Sequence, residues 1–416
     1  MNRAGAAAEV LRQSRALRAA LGRFRTRGEW LAHPEGATLA TAASHLLAPV
    51  RRWEAEPTPA APPAAVHTQR AHSTHPYTSG AAYAERDWMH VVHWNILHGD
   101  RYERVRAALR DEPALAGADL VTLNEVDLGL ARSGNRDVAF DLARDLGLHA
   151  VWAALYLELE GGHETRPELA AAPQAESMLG LALLSRFPLG AAQRVELLTP
   201  ADLLFDYERK VGSFIALVVE VLRPGAPLHV VVTHLDVHSS PDARQAQMRT
   251  ALAALPPGPA LLAGDLNTTT LARGSWVRSA RALAVLAFSP PSTLRRRLLR
   301  PESPPGRPRE PLFTALERAG FTWAPFNDAQ PSLDPRLEDV HEFRRLPSPL
   351  RLPVRRLLRH VERRSHHRLD WIAARGFDPA PERPPCTLPH LMRGTDPPSD
   401  HAPIACGLRL RGAPRA

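Results

Sequence analysis

Lysine is almost missing from this chain. Lys210 is the only one, and arginine supplies every other basic side chain in a total of 52 Lys and Arg against 44 acids. With abundant Ala, Pro and Leu, this resembles the coding bias of a GC-rich bacterial genome. The formal charge of +8 therefore argues less for a polyanionic partner than it otherwise would. Cysteine is scarce as well. Cys386 and Cys406 make neither a disulfide framework nor metal-ligand spacing, and no Cys-x-x-Cys supports a zinc centre. No stretch approaches the ~20 apolar residues of a membrane helix. Arginines interrupt the apolar residues of the N-terminus, so no secretory leader is read there. Gly-x-Gly-x-x-Gly and the P-loop are absent too, which removes the usual nucleotide-cofactor signatures. A cytoplasmic monomer is expected, with 416 residues to bury one large core or two modest ones.

What is present divides the chain into parts. Residues 1–55 carry a helical pattern, with Val10, Leu11, Leu17, Leu21 and Phe24 spaced by about three and four among arginines. Such a segment packs on its own domain more often than on a membrane or a partner. Residues 56–86, rich in Pro and then in His, Thr and Ser, read as a linker. The catalytic region is expected over 87–412, with an Arg/Pro-rich insertion at about 271–365. Within that insertion, residues 344–364 hold 8 arginines against one glutamate, a pattern suited to a nucleic acid or to an anionic lipid surface. Glu310 to Gly320 reads there as a coherent helix and turn. Elsewhere, strand and helix patterns alternate: strands at 88–94, 119–123, 148–157, 179–184, 213–222, 228–233, 260–263 and 369–372, helices at 102–109, 137–147 and 241–255.

The motif that anchors the reading is Leu-Leu-Ala-Gly-Asp-Leu-Asn, residues 261–267. An apolar run reaches a glycine, and Asp265 and Asn267 follow two apart, a spacing that on a strand puts both on one face. Six places share this feature of an apolar strand ending in polar side chains: Asn95, Glu125, His234, Asp265 with Asn267, Asp370, and Asp400 with His401. In a layered fold, strand ends and loops gather ligands. Carboxylate and amide oxygens suit Mg²⁺ or Mn²⁺ with phosphate oxygens and water, while histidines suit proton transfer or an oxyanion. His93, His98 and His238, close to these motifs, are read as rim or core residues.

Trp94-Asn95-Ile96, Asn124-Glu125-Val126, Leu184-Ser185-Arg186, Thr233-His234-Leu235, Gly264-Asp265-Leu266-Asn267, Leu369-Asp370-Trp371-Ile372 and Ser399-Asp400-His401 together resemble the ordered motifs of the endonuclease/exonuclease/phosphatase superfamily, over about residues 88–410. The resemblance implies an α/β (α+β) fold, a four-layered sandwich of two mixed β-sheets packed face to face with helices outside. It also implies divalent-metal-dependent cleavage of a phosphate ester by an activated water, with Mg²⁺ or Mn²⁺. Carried over, Glu125 is the main metal ligand, with Asn95 and Asp400 near the metal. Asp265 orients or deprotonates the water, and Asn267 holds it or a phosphate oxygen. His401 contacts the phosphate, Asp370 fixes its tautomer, and His234 donates to the oxyanion. Arg132, Arg209 and Lys210 are candidates for holding an anionic substrate group.

The departures bear on the substrate. No tyrosine matches that of the abasic-site nucleases, and Arg368-Leu369-Asp370-Trp371 stands where 5-phosphatases carry Pro-Ala-Trp-Cys-Asp-Arg. Glu-Val-Asp-x-Gly-x-x-Arg-Ser-Gly (125–134) and Arg244-x-x-Gln247 are closer to generic bacterial members. The expected activity is a phosphodiesterase, with a nuclease, a lipid phosphodiesterase of sphingomyelinase type and a catalytically silent binding module as alternatives.

Overall fold

The computed structural model describes residues 3–55, 86–160, 166–169, 171–200, 202–204, 209–225, 227–270, 276–303, 308–335 and 348–412. The expected linker at 56–86, apart from Arg86, lies outside the described residues, as do parts of the loop at 160–178.

The chain opens with helices α1 (Arg3–Leu21), α2 (Arg27–Ala32) and α3 (Gly36–Leu47) and strand β1 (Val50–Trp53). Next come β2 (Trp88–His98), α4 (Tyr102–Asp111), β3 (Leu120–Leu128), α5 (Val138–Leu146), β4 (His149–Glu158) and β5 (Met178–Ser185). A run of strands follows, β6 (Leu189–Glu196), β7 (Lys210–Gly212), β8 (Ile215–Val221) and β9 (Leu228–His234), then α6 (Pro241–Ala253) and β10 (Ala260–Asp265). Four helices, α7 (Trp276–Phe288), α8 (Pro291–Leu299), α9 (Leu312–Arg318) and α10 (Ser348–Glu362), precede β11 (Asp370–Arg375), β12 (Phe377–Pro379), β13 (Cys386–Thr387) and β14 (Ile404–Leu410).

Two mixed sheets result. One runs β1-β4-β5-β3-β2-β14-β12, with β7 on β4 and β13 on β14; the other runs β11-β10-β9-β8-β6. Each holds one parallel pair, β2/β3 and β9/β10. The period of two in the strands sorts the side chains between layers. On β2, Met89 and Val91 join the core between the sheets, while Val92, Trp94 and Ile96 join a second core under α1–α5. Helices α6 and α9 cover the other sheet through Met248, Ala251, Leu312, Phe313 and Leu316. This is the expected α/β sandwich. Helix ends follow local chemistry: Ser240 caps α6 by accepting from the Ala243 amide with Pro241 next to it, and Gly147 closes α5 at φ +67.

Two segments are placed by long-range packing. Residues 1–55 are part of the sandwich: Leu17, Leu21, Trp30, Leu46 and Leu47 enter the core under α1–α5, and β1 pairs with β4 along Val50↔Ala153 to Trp53↔Ala150. The alternation of Val-Arg-Arg-Trp is too short and too charged to signal a strand, as suits a sheet edge. The described residues of the insertion at 271–365 divide between two cores. Helices α7, α8 and α10 form a small core of their own (Ala282, Leu286, Leu294, Leu298, Leu358, Val361), whereas α9, Phe321 and Phe326 belong to the main core.

Candidate active site

The site is built where both parallel pairs end. Val91, His93 and Asn95 alternate onto the face of β2 that meets the other sheet, and Asn95 pairs in register with Asn124 on β3. Both strands then break register, between Asn95 and His98 and between Leu123 and Val126. Glu125 sits in this irregularity at φ +54, and Leu97 and His98 also take positive φ. Asn267 and Thr270, beyond β10, do the same, so backbone strain gathers around the site. On the opposite sheet, His234, Asp265 and Asp370 lie side by side in register across β9, β10 and β11. Gly264 permits this row, because a Cβ there would come within 2.0 Å of the Thr233 carbonyl oxygen.

Asn95 Nδ2 donates to Glu125 Oε1 at 2.8 Å and reaches across to Asp265 Oδ2 at 3.4 Å. Asp265 Oδ2 also faces His234 Nε2 at 3.5 Å and His401 Nε2 at 3.7 Å. His401 Nδ1 lies 2.7 Å from Asp370 Oδ2. The other Asp370 oxygen meets His93 Nε2 at 3.1 Å, and His93 Nδ1 meets Thr122 Oγ1 at 3.0 Å. Asp370 is fully buried, and its imidazole partners hold its carboxyl far below the usual carboxylate range despite that burial. His401 is raised well above the usual imidazole value: burial opposes its charge, but the Asp370 carboxylate and bond outweigh it. His234 is lowered by burial. Glu125 is pushed up to about 7 by burial and by the charges of Asp400 and Asp265.

The strand-end residues therefore converge: Asn95, Glu125, His234, Asp265, Asp370, Asp400 and His401 share one site. Asn267 borders it, though not as the period of two predicts. The strand stops at Asp265, and Asn267 turns so that its amide N–H donates to Asp265 Oδ1 at 2.9 Å and its Nδ2 to the Leu235 carbonyl at 2.7 Å. Two substrate candidates are already engaged by other groups of the fold. Arg132 is buried with both arms on Asp127 at 2.8 and 2.9 Å, and Arg209 holds Glu160 at 3.0 Å and the Gly22 and Phe24 carbonyls. Lys210 stands over the Tyr156 ring at 5.3 Å; burial lowers both His98 and His234, with smaller additions from Arg132 at His98 and from Lys210 at both.

Some contributors were not singled out from the sequence. His93 was read as a rim or core residue, yet it lies two positions before Asn95 on the same face, a signal the strand period carries. His98 Nδ1 is 3.6 Å from Glu125 Oε2. Ser332, inside the supposed insertion, accepts the Leu369 and Asp370 amides through Oγ at 3.0 and 3.1 Å. His238, four after His234, is exposed in a non-helical turn, so the spacing makes no ligand pair.

Among the described residues, Asp265, Asp370 and His401 offer ligand atoms within 4.8 Å of one another. Both oxygens of Asp370 are already engaged by imidazoles, however, which suits an acid–base cluster. Glu125, Asn95 and Asp400 form the harder oxygen set, with Asn95 Oδ1 also accepting the Leu97 amide at 3.2 Å; Glu125 is raised first by burial and then by the charges of Asp400 and Asp265, a cost that a divalent cation would relieve. That donor set fits Mg²⁺ or Mn²⁺.

The layers and the site define a class: an α/β sandwich whose polar centre opens at the strand ends between its two sheets. Residues 92–401 match the family model described as "Endonuclease/Exonuclease/phosphatase family", and the chain belongs to that family. Among solved structures it is similar to an endonuclease/exonuclease/phosphatase from Beutenbergia cavernae DSM 12333, at 21% identity over 80% of this chain and 74% of that one, TM-score 0.46. The human nocturnin catalytic domain with bound sulfate anion gives 18% identity over 82% and 100%, TM-score 0.40. A 3′ phosphatase from Neisseria bound to a product DNA hairpin gives 17% over 76% and 98%, TM-score 0.40. No curated protein sequence matches the chain. No helix among the described residues is long and apolar enough to cross a membrane.

Proposed function

We propose that this chain is a divalent-metal-dependent phosphodiesterase that cleaves a phosphate ester with an activated water. The observation that carries the reading is Asp265, a carboxylate facing two imidazoles and the Asn95 amide across the sheet gap, with Glu125 bound to that same amide. Mg²⁺ or Mn²⁺ held by Glu125, Asn95 and Asp400 would polarise the phosphoryl oxygens. Asp265 takes or orients the proton of the attacking water, since it accepts and cannot donate while ionised. His401, kept cationic by Asp370, donates to the developing charge, and His234 donates from the other side. Lys210 offers the nearby cation for an anionic substrate group. The protein works as a cytoplasmic monomer.

The test is a hydrolysis panel with Mg²⁺ or Mn²⁺: bis-(p-nitrophenyl) phosphate, its monoester, single- and double-stranded DNA, RNA and sphingomyelin. Asp265→Ala should keep its fold and lose diester turnover by about 10²–10⁴-fold, the usual worth of a positioned base. A folded wild-type protein that turns over none of these and binds no metal would sink the reading.

A further inference from the structure

The insertion helices α7, α8 and α10 take no part in the chemistry above, yet their charge is strongly one-sided. Residues 276–300 and 348–364 contain six arginines each against one acid, Glu362. Their apolar sides meet each other around Leu286, Leu294, Leu298, Leu358 and Val361, and Arg364 ties α10 to the Ala287 and Ser289 carbonyls at the end of α7. What remains faces water: Arg281, Arg295, Arg296 and Arg356 are all exposed. Arg281 and Arg309 crowd Arg297 closely enough to weaken its hold on its proton, after burial.

Helix α7 adds exposed apolar side chains to these arginines. Val277 and Phe288 are 80% and 79% exposed, the most exposed large hydrophobic side chains among the described residues. They lie eleven residues apart, so on a helix of 3.6 residues per turn they share one stripe with Arg281 and Ala284, opposite the buried Ala282 and Leu286. A polyanion in water complements the arginines but gains nothing from an exposed valine. The surface of an anionic bilayer complements both, taking guanidinium groups at the headgroups and the apolar side chains beneath them. The patch also touches the site. Arg297 Nε donates to Thr270 Oγ1 at 2.8 Å on the loop that carries Asn267, and the Arg368 amide donates to the Leu298 carbonyl at 3.1 Å, two residues before Asp370.

The geometry points to a peripheral membrane-binding surface: the outer face of α7, α8 and α10 docks on an anionic phospholipid bilayer and sets the strand-end site beside it. The proposal concerns binding and stands apart from the activity proposed above.

The test is co-sedimentation of the full chain with phosphatidylcholine vesicles with and without phosphatidylglycerol, over a salt series, with duplex DNA as a separate arm. The protein should bind only the anionic vesicles and release them at high salt. Val277→Ser with Phe288→Ser should weaken that binding at least tenfold and leave any DNA binding unchanged. Neutralising Arg281, Arg295, Arg296 and Arg356 to Gln should cost roughly fivefold each, several hundredfold together. All six positions face solvent, and unchanged melting would certify the fold of each variant. Failure to bind anionic vesicles, or DNA binding that is tighter than vesicle binding and indifferent to Phe288→Ser, would overturn the proposal; the latter outcome would make the face a nucleic-acid surface.

Discussion

Glu125 is a carboxyl whose folded value, about 7, lies above its ordinary 4.5. The folded chain then binds this proton more tightly than the unfolded chain. The contribution is present in full below about 4.5 and is lost as pH rises through about 7. In metal-free protein the melting temperature of wild type should therefore fall relative to Glu125→Gln across that window. Added Mg²⁺ should raise wild type and leave the variant nearly unmoved. His93 offers a second test at this scale. It braces the Asp370 oxygen that His401 does not use, so His93→Phe should lower kcat roughly tenfold to a hundredfold with KM little changed. His93→Gln, which can still donate toward Asp370, should recover part of the loss. The polar residues of the site were legible because each adjoins an apolar run, Asn95, Glu125, His234 and Asp265 late in theirs and Asp370, Asp400 and His401 ahead of theirs. His93 was legible only as a neighbour of Asn95 on one strand face, since the partner that gives it importance, Asp370, lies 277 residues away. Arg132 and Arg209 looked like anion holders because charge is visible in sequence and burial against Asp127 or a carbonyl is not.

Among the elements, α6 and α9 are joined by a buried ion pair. Arg244 reaches Glu310 at 2.6 and 3.2 Å and the Ser239 carbonyl at 2.8 Å, and Glu310 also accepts the Thr270 amide at 2.6 Å. Breaking one side leaves a stranded charge, so Glu310→Ala should destabilise the protein by about 3–5 kcal/mol in denaturant titration. Arg244→Met with Glu310→Leu should cost less than the single change. Helices with an apolar face, such as α5 with Val138, Leu142 and Leu146, were plain in the sequence to within a residue or two at each end. Strand limits were less so: β2 and β3 run on past Asn95 and Leu123 through paired irregularities. Alternation fails at a bulge, and the residues in and beside it, Glu125 and His98, are those the site uses.

Over the whole molecule, the N-terminal helices and β1 close the edge of the larger sheet at β4, and Arg209 fastens them through the Gly22 and Phe24 carbonyls. Deleting residues 1–55 would uncover Leu46 and Leu47's partners and bare that edge, so the shortened chain should melt markedly lower and aggregate on heating, measured by calorimetry with light scattering. The four-layer plan was implied by the ordered motifs and their strand patterns. The pairing of β1 with β4 and the place of α9 in the main core were not, because edge pairing and long-range packing leave no local period.

The two sheets each supply half of the site, and the bonds His93–Asp370, Asn95–Asp265 and Asn124–Thr233 cross the gap between them. A mechanic would call such an arrangement a vernier: two scales that mark a reading only when aligned. A slip of one sheet against the other, too small to disturb either sheet's own ladder, would still separate Asp265 from Glu125. The spacing of Asp265 from Glu125 thus doubles as a gauge of interlayer alignment, and wear in the buried seam registers first at the centre.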